Sequence, residues 1–286
     1  MKNLTKHTLL APVALPLLAS LLLASTALAQ GALMINPKRV VLDDRHRFAN
    51  VTLFNSGNDS ADFVISLVHY KMNEDGSFTE IPDSVSTYAA TYCDKLVRYF
   101  PLQVTLAPHE SQAVRVQFLK PQGLQPGEYR SHLYFRSIDK AKAIETQVRD
   151  TSNHTISLTL RPIFGISIPV IVDYQTKPPV VSLDSGFYTT SDSGKGVVMA
   201  NLNRTGDEEC YGSLVVMFKD KDGHEQQVGI VKGLAVYTDL ATRKVQVAYQ
   251  MPKGVDPKTG SLLLEFQTLT DNPKESVLAT TDLAAK

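Results

Sequence analysis

Ile156-Ser157-Leu158-Thr159-Leu160-Arg161-Pro162-Ile163-Phe164-Gly165-Ile166-Ser167-Ile168-Pro169-Val170-Ile171-Val172 reads as an extended chain with an apolar residue at every even position. Successive side chains of a strand point to opposite faces, so the even set makes one unbroken stripe. At about 3.3 Å per residue the stretch spans roughly 55 Å, about three times an ordinary strand. A single domain is hard put to cover such a stripe, so part of it is buried by a second domain or offered to another molecule. Pro162 and Pro169 cannot donate to a ladder and suit an edge or a bend. Only Arg161 charges the opposite face, so this edge lacks the usual protection against pairing with a foreign strand. Two readings stay open: a bent core strand that crosses between domains, and a strand that serves a partner.

The start of the chain predicts its compartment. Lys2 and Lys6 precede an uncharged run from Leu9 to Leu23, and Ala27-Leu28-Ala29 offers small residues for cleavage. That is the pattern of a secretory signal peptide over residues 1–29, and its run, broken by Pro12 and Pro16, is short against the roughly 20 residues of a membrane span. Of the 286 residues, 257 remain from Gln30 onward, a length that favours two domains. The full chain balances 29 basic against 29 acidic residues, and loss of Lys2 and Lys6 leaves 27 against 29, a net charge of −2. Such a balance gives no electrostatic footprint for nucleic acid or for a membrane surface. Cys93 and Cys210 stand 117 positions apart, in different expected domains; an oxidising compartment permits a bridge, the spacing alone does not establish one, and two separate thiols are the expectation.

Along the mature chain the signals are those of strands and turns. Val40 to Leu42, Ala49 to Phe54 and Phe63 to Val68 are β-prone runs separated by Asp43-Asp44 and by Asn55-Ser56-Gly57-Asn58-Asp59. Asp75-Gly76 marks a hairpin turn. Gln103 to Leu106, Ala113 to Phe118 and Tyr129 to Phe135 follow, with one short helical turn expected within Tyr88 to Lys95. A charge-rich loop over 137–155 leads to the long stripe, and Asp173 to Pro179 reads as a linker. Beyond it Lys195 to Asn203, Tyr211 to Lys219, Gln227 to Val231, Lys244 to Tyr249 and Ser261 to Thr268 predict a second all-β unit. The expected organisation is residues 30–174 and 175–286, two antiparallel sandwiches.

Catalytic signatures are missing from the sequence. His46, His69, His109, His132 and His154 stand at no metal-ligand spacing, and no G-x-S-x-G elbow, phosphate-cradling glycine loop or dinucleotide fingerprint occurs. Asp220-Lys221-Asp222-Gly223 lacks the later ligands of a calcium loop and reads as a turn. Neither an enzyme nor a cofactor, metal or small-molecule substrate is expected.

Asn36-Pro37-Lys38-Arg39-Val40-Val41-Leu42 with Val51-Thr52-Leu53-Phe54-Asn55 resembles the opening of the PapD-like periplasmic chaperones of pilus subunits. Arg98-Tyr99-Phe100-Pro101, Leu106-Ala107-Pro108, Gln112-Ala113-Val114-Arg115-Val116 and Pro126-Gly127-Glu128-Tyr129-Arg130-Ser131-His132-Leu133 continue the resemblance. It spans residues 33–172, and Phe164-Gly165-Ile166-Ser167-Ile168-Pro169-Val170 is similar to branches away from the best-known members. The resemblance implies two immunoglobulin-like β-sandwich domains in a boomerang. It implies a non-enzymatic periplasmic protein whose partners are pilus or fimbrial subunits and an outer-membrane usher.

Donor-strand complementation is the implied mechanism: the chaperone fills a subunit's missing strand with alternate side chains, a form of β-augmentation. The donor residues would be Ile156, Leu158, Leu160 and Pro162. The family also anchors a subunit's C-terminal carboxylate on two cations. Arg39 matches the first, and its planar fork suits a carboxylate. Ser167 stands where the family has a lysine, and Arg130, brought near the end of the long strand by antiparallel pairing, is the candidate replacement. Arg115 matches a family position at which a structural ion pair is the expectation. The alternative reading is an immunoglobulin-like secreted adhesin or structural pilus component.

Overall fold

Alternation written in the sequence reappears as alternating burial. Val40 and Leu42 are buried around exposed Val41, Val51 and Leu53 around Thr52, and Val114, Val116 and Phe118 around Arg115 and Gln117. Each such run is therefore a strand with one face in a core. The computed structural model describes residues 33–82, 91–138, 163–191, 193–268 and 277–286. The expected signal peptide, most of the 137–155 loop and the positions Ile156, Leu158, Leu160 and Pro162 lie outside these residues.

The first ten strands are β1 (Leu33–Asn36), β2 (Val40–Leu42), β3 (Phe48–Asn55), β4 (Ala61–Met72), β5 (Phe78–Ile81), β6 (Val97–Phe100), β7 (Gln103–Leu106), β8 (Ser111–Phe118), β9 (Gly127–Ile138) and β10 (Gly165–Tyr174). They build two sheets, one ordered β1-β3-β8-β6, the other β2-β10-β9-β4 with β5 and β7 both on β4. The chain changes sheet between β1 and β2, across the cis peptide bond Asn36–Pro37. Leu42, Leu53, Leu106, Phe118, Leu133 and Phe135 fill the space between the sheets. Burying a side chain of this size stabilises by about 1.5–3 kcal/mol.

The remaining strands are β11 (Val180–Thr190), β12 (Lys195–Thr205), β13 (Cys210–Lys219), β14 (Glu225–Val236), β15 (Thr242–Gln250), β16 (Ser261–Thr268), β17 (Val277–Asp282) and β18 (Ala284–Ala285). Their order is β17-β16-β13-β14-β15-β12-β11-β18, and β14 meets β15 only at Gly229 and Tyr249. The sheet folds over at that weak joint, so Leu202, Leu214, Val216, Val247, Leu264 and Phe266 from both halves share one core. The protein is thus all-β with two sandwiches, and helical conformation among the described residues is limited to Thr91 and the 3-10 turn Pro257–Thr259.

Two expectations change in detail. The described part of the long stripe is β10, and it is apolar-in only at its C-terminal end: Ile168, Val170 and Val172 are core, whereas Phe164 and Ile166 are exposed. Strand β11 escaped the sequence reading because its period breaks: the register shifts between Asp184 and Phe187, Ser185 takes φ 54°, and the buried residues change from odd Leu183 to even Tyr188. Of the helical turn expected over Tyr88–Lys95, only 91–95 are described: Thr91 is in 3-10 helical conformation, and the chain turns again from Asp94. Cys93 and Cys210 are free thiols buried in separate cores, pushed up by burial to about 12 and about 11.

Candidate functional site

Strand parity decides which side chains of the second sheet face away from its core. On β9 the odd residues Tyr129, Leu133 and Phe135 pack inward, so Glu128, Arg130, His132 and Tyr134 share the outer face. On β10 the inward residues are Ile168, Val170 and Val172, leaving Ser167, Pro169, Ile171 and Asp173 outside. At the β2 end of this face the second sandwich covers the sheet. Met72 and Ile171 pack there against Ala235 and Tyr237.

The seam around this patch is charged. Arg130 donates to Tyr70 O and to Asp239 Oδ2, both at 3.0 Å, and its guanidinium lies 3.7 Å from the Tyr237 ring centroid. Asp239 Oδ2 also accepts from the Met72 amide at 3.0 Å. Arg39, one residue before β2, stacks 3.8 Å over the Tyr211 ring and forms an ion pair with Glu209. The Glu209 amide donates to Glu128 Oε2 at 2.6 Å, and Thr238 donates to Glu128 Oε1 at 3.2 Å. The Asp75-Gly76 turn reaches across as well. Lys244 binds Glu74 through both backbone and side chain, and Gly76, at φ 82°, leaves room that the Arg243 guanidinium fills.

The structure therefore places both candidate cations, Arg39 and Arg130, at the junction, each already facing a carboxylate of the second sandwich. Antiparallel pairing does set Arg130 beside the end of β10, opposite Ile171. Ser167 lies four residues back along that strand, roughly 13 Å at strand rise, and hydrogen-bonds the Tyr70 side chain. Arg130 thus does not occupy the place of Ser167. Arg115 packs over the Phe48 ring at 4.5 Å, and no ion pair of it is found among the described residues. Glu209, Asp239, Tyr211 and Tyr237 were not legible as site residues, because nothing local links them to Arg39 or Arg130.

Burial unbalances the acids. Glu128 is raised to about 7 by burial against the pull of Arg130, Arg204 and Arg39, and Asp173 is raised to about 7 by burial and by Glu128 and Glu208. His132 is lowered to about 3 by burial, with Arg130 adding repulsion. The carboxyl groups stabilise the assembled fold fully below their ordinary values, and that contribution is lost as pH rises through about 7. His132 works oppositely, since its contribution is present above 6.5 and lost as pH falls toward about 3. Two carboxyls against one imidazole leave a net slope of at most about 1.4 kcal/mol per pH unit. The melting temperature is therefore expected to fall as pH rises from about 5 to about 7, and Glu128→Gln to flatten the profile; a wild-type profile that climbs over this window refutes the assignment.

A further part of the face is open. Strand β2 pairs with β10 only over Val170–Val172, so among the described residues the outer edge of Gly165–Pro169 has no strand beside it. Ile163, Phe164 and Ile166 along this edge are 64%, 54% and 40% exposed. A Cβ at Gly165 would meet the Tyr134 ring that lies across it, so any larger residue there has to push that ring aside. Elsewhere, Asp220, Asp222 and His224 form a group compatible with a metal ion, but Asp220 accepts from the Asp222 and His224 amides, as a turn requires.

No protein-family model matches the chain, and no curated protein sequence does. Among solved structures it is similar to the CsuC–CsuE chaperone–tip adhesion subunit pre-assembly complex of Csu pili from Acinetobacter baumannii, at 11% identity and TM-score 0.43, covering 89% of this chain and 99% of that one. It is similar to the E. coli chaperone DraB at 11% identity and TM-score 0.43, covering 90% and 97% of the two chains. It is also similar to the Pseudomonas aeruginosa CupB2 chaperone at 13% identity and TM-score 0.40, over 88% of this chain and all of that one.

Proposed function

We propose that the chain is a periplasmic chaperone of pilus or fimbrial subunits, exported by a signal peptide over residues 1–29, with subunit-binding and second domains at 30–174 and 175–286. It holds a subunit by donor-strand complementation and passes it to an outer-membrane usher. No nucleotide or metal enters this mechanism: a strand released from a subunit is replaced by another subunit's extension.

The observation that carries the reading is the open edge of β10 with Ile163, Phe164 and Ile166 exposed along it. An apolar edge is normally suppressed by charge or shortness, and one left open suits a protein that pairs with foreign strands. The sequence continues this stripe upstream through Pro162, Leu160, Leu158 and Ile156. Its ordered resemblance to the chaperone family over 33–172 points the same way. Arg39 and Arg130 are the proposed anchors for a subunit's terminal carboxylate.

Purification from periplasmic extract, with mass spectrometry of co-purifying proteins, tests the reading. Fimbrial subunits are expected among them. Phe164→Ser with Ile166→Ser is expected to lower their recovery at least about tenfold, since each burial is worth about 1.5–3 kcal/mol. The same variant should change folding stability by no more than about 1 kcal/mol, about 0.5 for each exposed position. Unchanged recovery from a folded variant rules out the edge as the binding surface.

A further inference from the structure

Arg39 is not an empty site. Its guanidinium is held between the Tyr211 ring and the Glu209 carboxylate, and the side chains of Arg39 and Glu209 are only 16% and 8% exposed. The hold on Glu209 is incomplete, because its Oε2 is buried without a hydrogen-bond partner among the described residues. Glu128 binds the Glu209 amide at 2.6 Å, so residue 209 is grasped at both backbone and side chain. Asp173 and Glu128 also act on Arg39, which leaves three carboxyl groups around one guanidinium. An ion pair built only for stability needs one acid per base; this arrangement crowds the base with acids and leaves buried oxygens unused on Glu209 and Asp173.

We propose that Glu209 is an internal stand-in for a partner's carboxylate: the second sandwich seats its own carboxylate on Arg39, and a partner's terminal carboxylate reaches that arginine only by displacing Glu209. The inference rests on the reading of Arg39 as a carboxylate anchor and adds how that anchor is kept covered. Repulsion from Glu128 and Asp173 acts on either carboxylate alike, so the exchange is decided by the hold on Glu209, whose Oε2 is buried without a hydrogen-bond partner among the described residues. The exchange is also specific, because an amide or ester end carries no charge to exchange. The covered state lowers the apparent affinity for a partner by the fraction of molecules in which Arg39 is free, which keeps idle molecules from gripping stray carboxylates.

The test uses the full mature chain and two synthetic probes, the peptide acetyl-Thr-Val-Thr-Val-Thr-Phe with a free C-terminal carboxylate and the same peptide as its C-terminal amide. The alternating sequence suits the open edge of β10. Glu209→Gln, nearly isosteric and uncharged, is expected to bind the free-acid peptide about tenfold tighter than wild type while leaving the amide unchanged. Adding Arg39→Ala should erase the gain. If Glu209→Gln unfolds, Glu209→Asp, which keeps the charge but draws it back from the guanidinium, replaces it with the same expected direction. Acid and amide distinguished equally by wild type and Glu209→Gln, with the difference lost in Arg39→Ala, overturns the stand-in and keeps the anchor. No discrimination between acid and amide by any of the proteins overturns the anchor, and the stand-in with it.

Discussion

Replacing Leu158 and Leu160 together by serine is expected to abolish capture of subunits while the protein still melts close to wild type. Both positions share the even parity of Phe164 and Ile166, which are exposed, rather than being interleaved with them. On the donor-strand reading each leucine enters a subunit's open core, and burial of a leucine is worth about 1.5–3 kcal/mol. Two such losses weaken binding by about 3–6 kcal/mol, a factor on the order of a hundred or more. Subunit recovery from periplasmic extract, normalised to folded chaperone, and thermal melting of the purified variant are the paired readouts. A grossly destabilised variant whose recovery per folded molecule is unchanged would place the leucines in the core and sink the donor mechanism.

Arg39→Ala is expected to act twice. It strands Glu209 in the seam, and removing one member of a buried pair destabilises by about 3–5 kcal/mol. It also removes the proposed carboxylate grip, which weakens capture by about 2–5 kcal/mol, about thirtyfold or more. The two effects separate in the double variant Arg39→Ala with Glu209→Gln. Neutralising the stranded acid should restore much of the melting temperature, whereas capture should stay lost. Arg39→Lys keeps the charge without the planar fork and should recover capture only in part. A double variant that regains capture along with stability would reduce Arg39 to a structural residue.

A cycle on Arg39 and Arg130 then decides whether the two act on one carboxylate. Each has its own acid in the structure, Glu209 for Arg39 and Asp239 for Arg130, yet Glu128 and Tyr237 feel both. Cations that share a bound carboxylate give non-additive losses of capture, and strict additivity dismisses Arg130 from the anchor.

The legible part of this protein was local. Alternation with period 2 marked strands such as Gln103–Leu106 and Ser261–Thr268 to the residue, because which face a side chain takes follows from backbone geometry alone. Turn chemistry did the same for Asp75-Gly76, where the chain adopts a positive φ that glycine tolerates. Where the period breaks, as at the Asp184–Phe187 irregularity, the strand went unseen.

By itself the sequence determined an all-β chain and the parity of its strands, and its resemblance to a family marked Arg39 and Arg130 as the cations to examine. Only the tertiary structure decided where the stripe leaves the core, because coverage depends on what packs alongside: β2 flanks Val170–Val172 and stops short of Ser167 and Ile166. It alone brought Asp239 to Arg130 across 109 positions and to the Met72 amide across 167. A pair so distant in the chain leaves no periodic trace, since neither residue's local conformation depends on the other. The same holds for the raising of Glu128 and Asp173 to about 7, which arises from lost water at a seam between two sandwiches and, for Asp173, from the acids gathered there. Strand parity is a property of the backbone, whereas the company a side chain keeps is settled only when the whole chain packs.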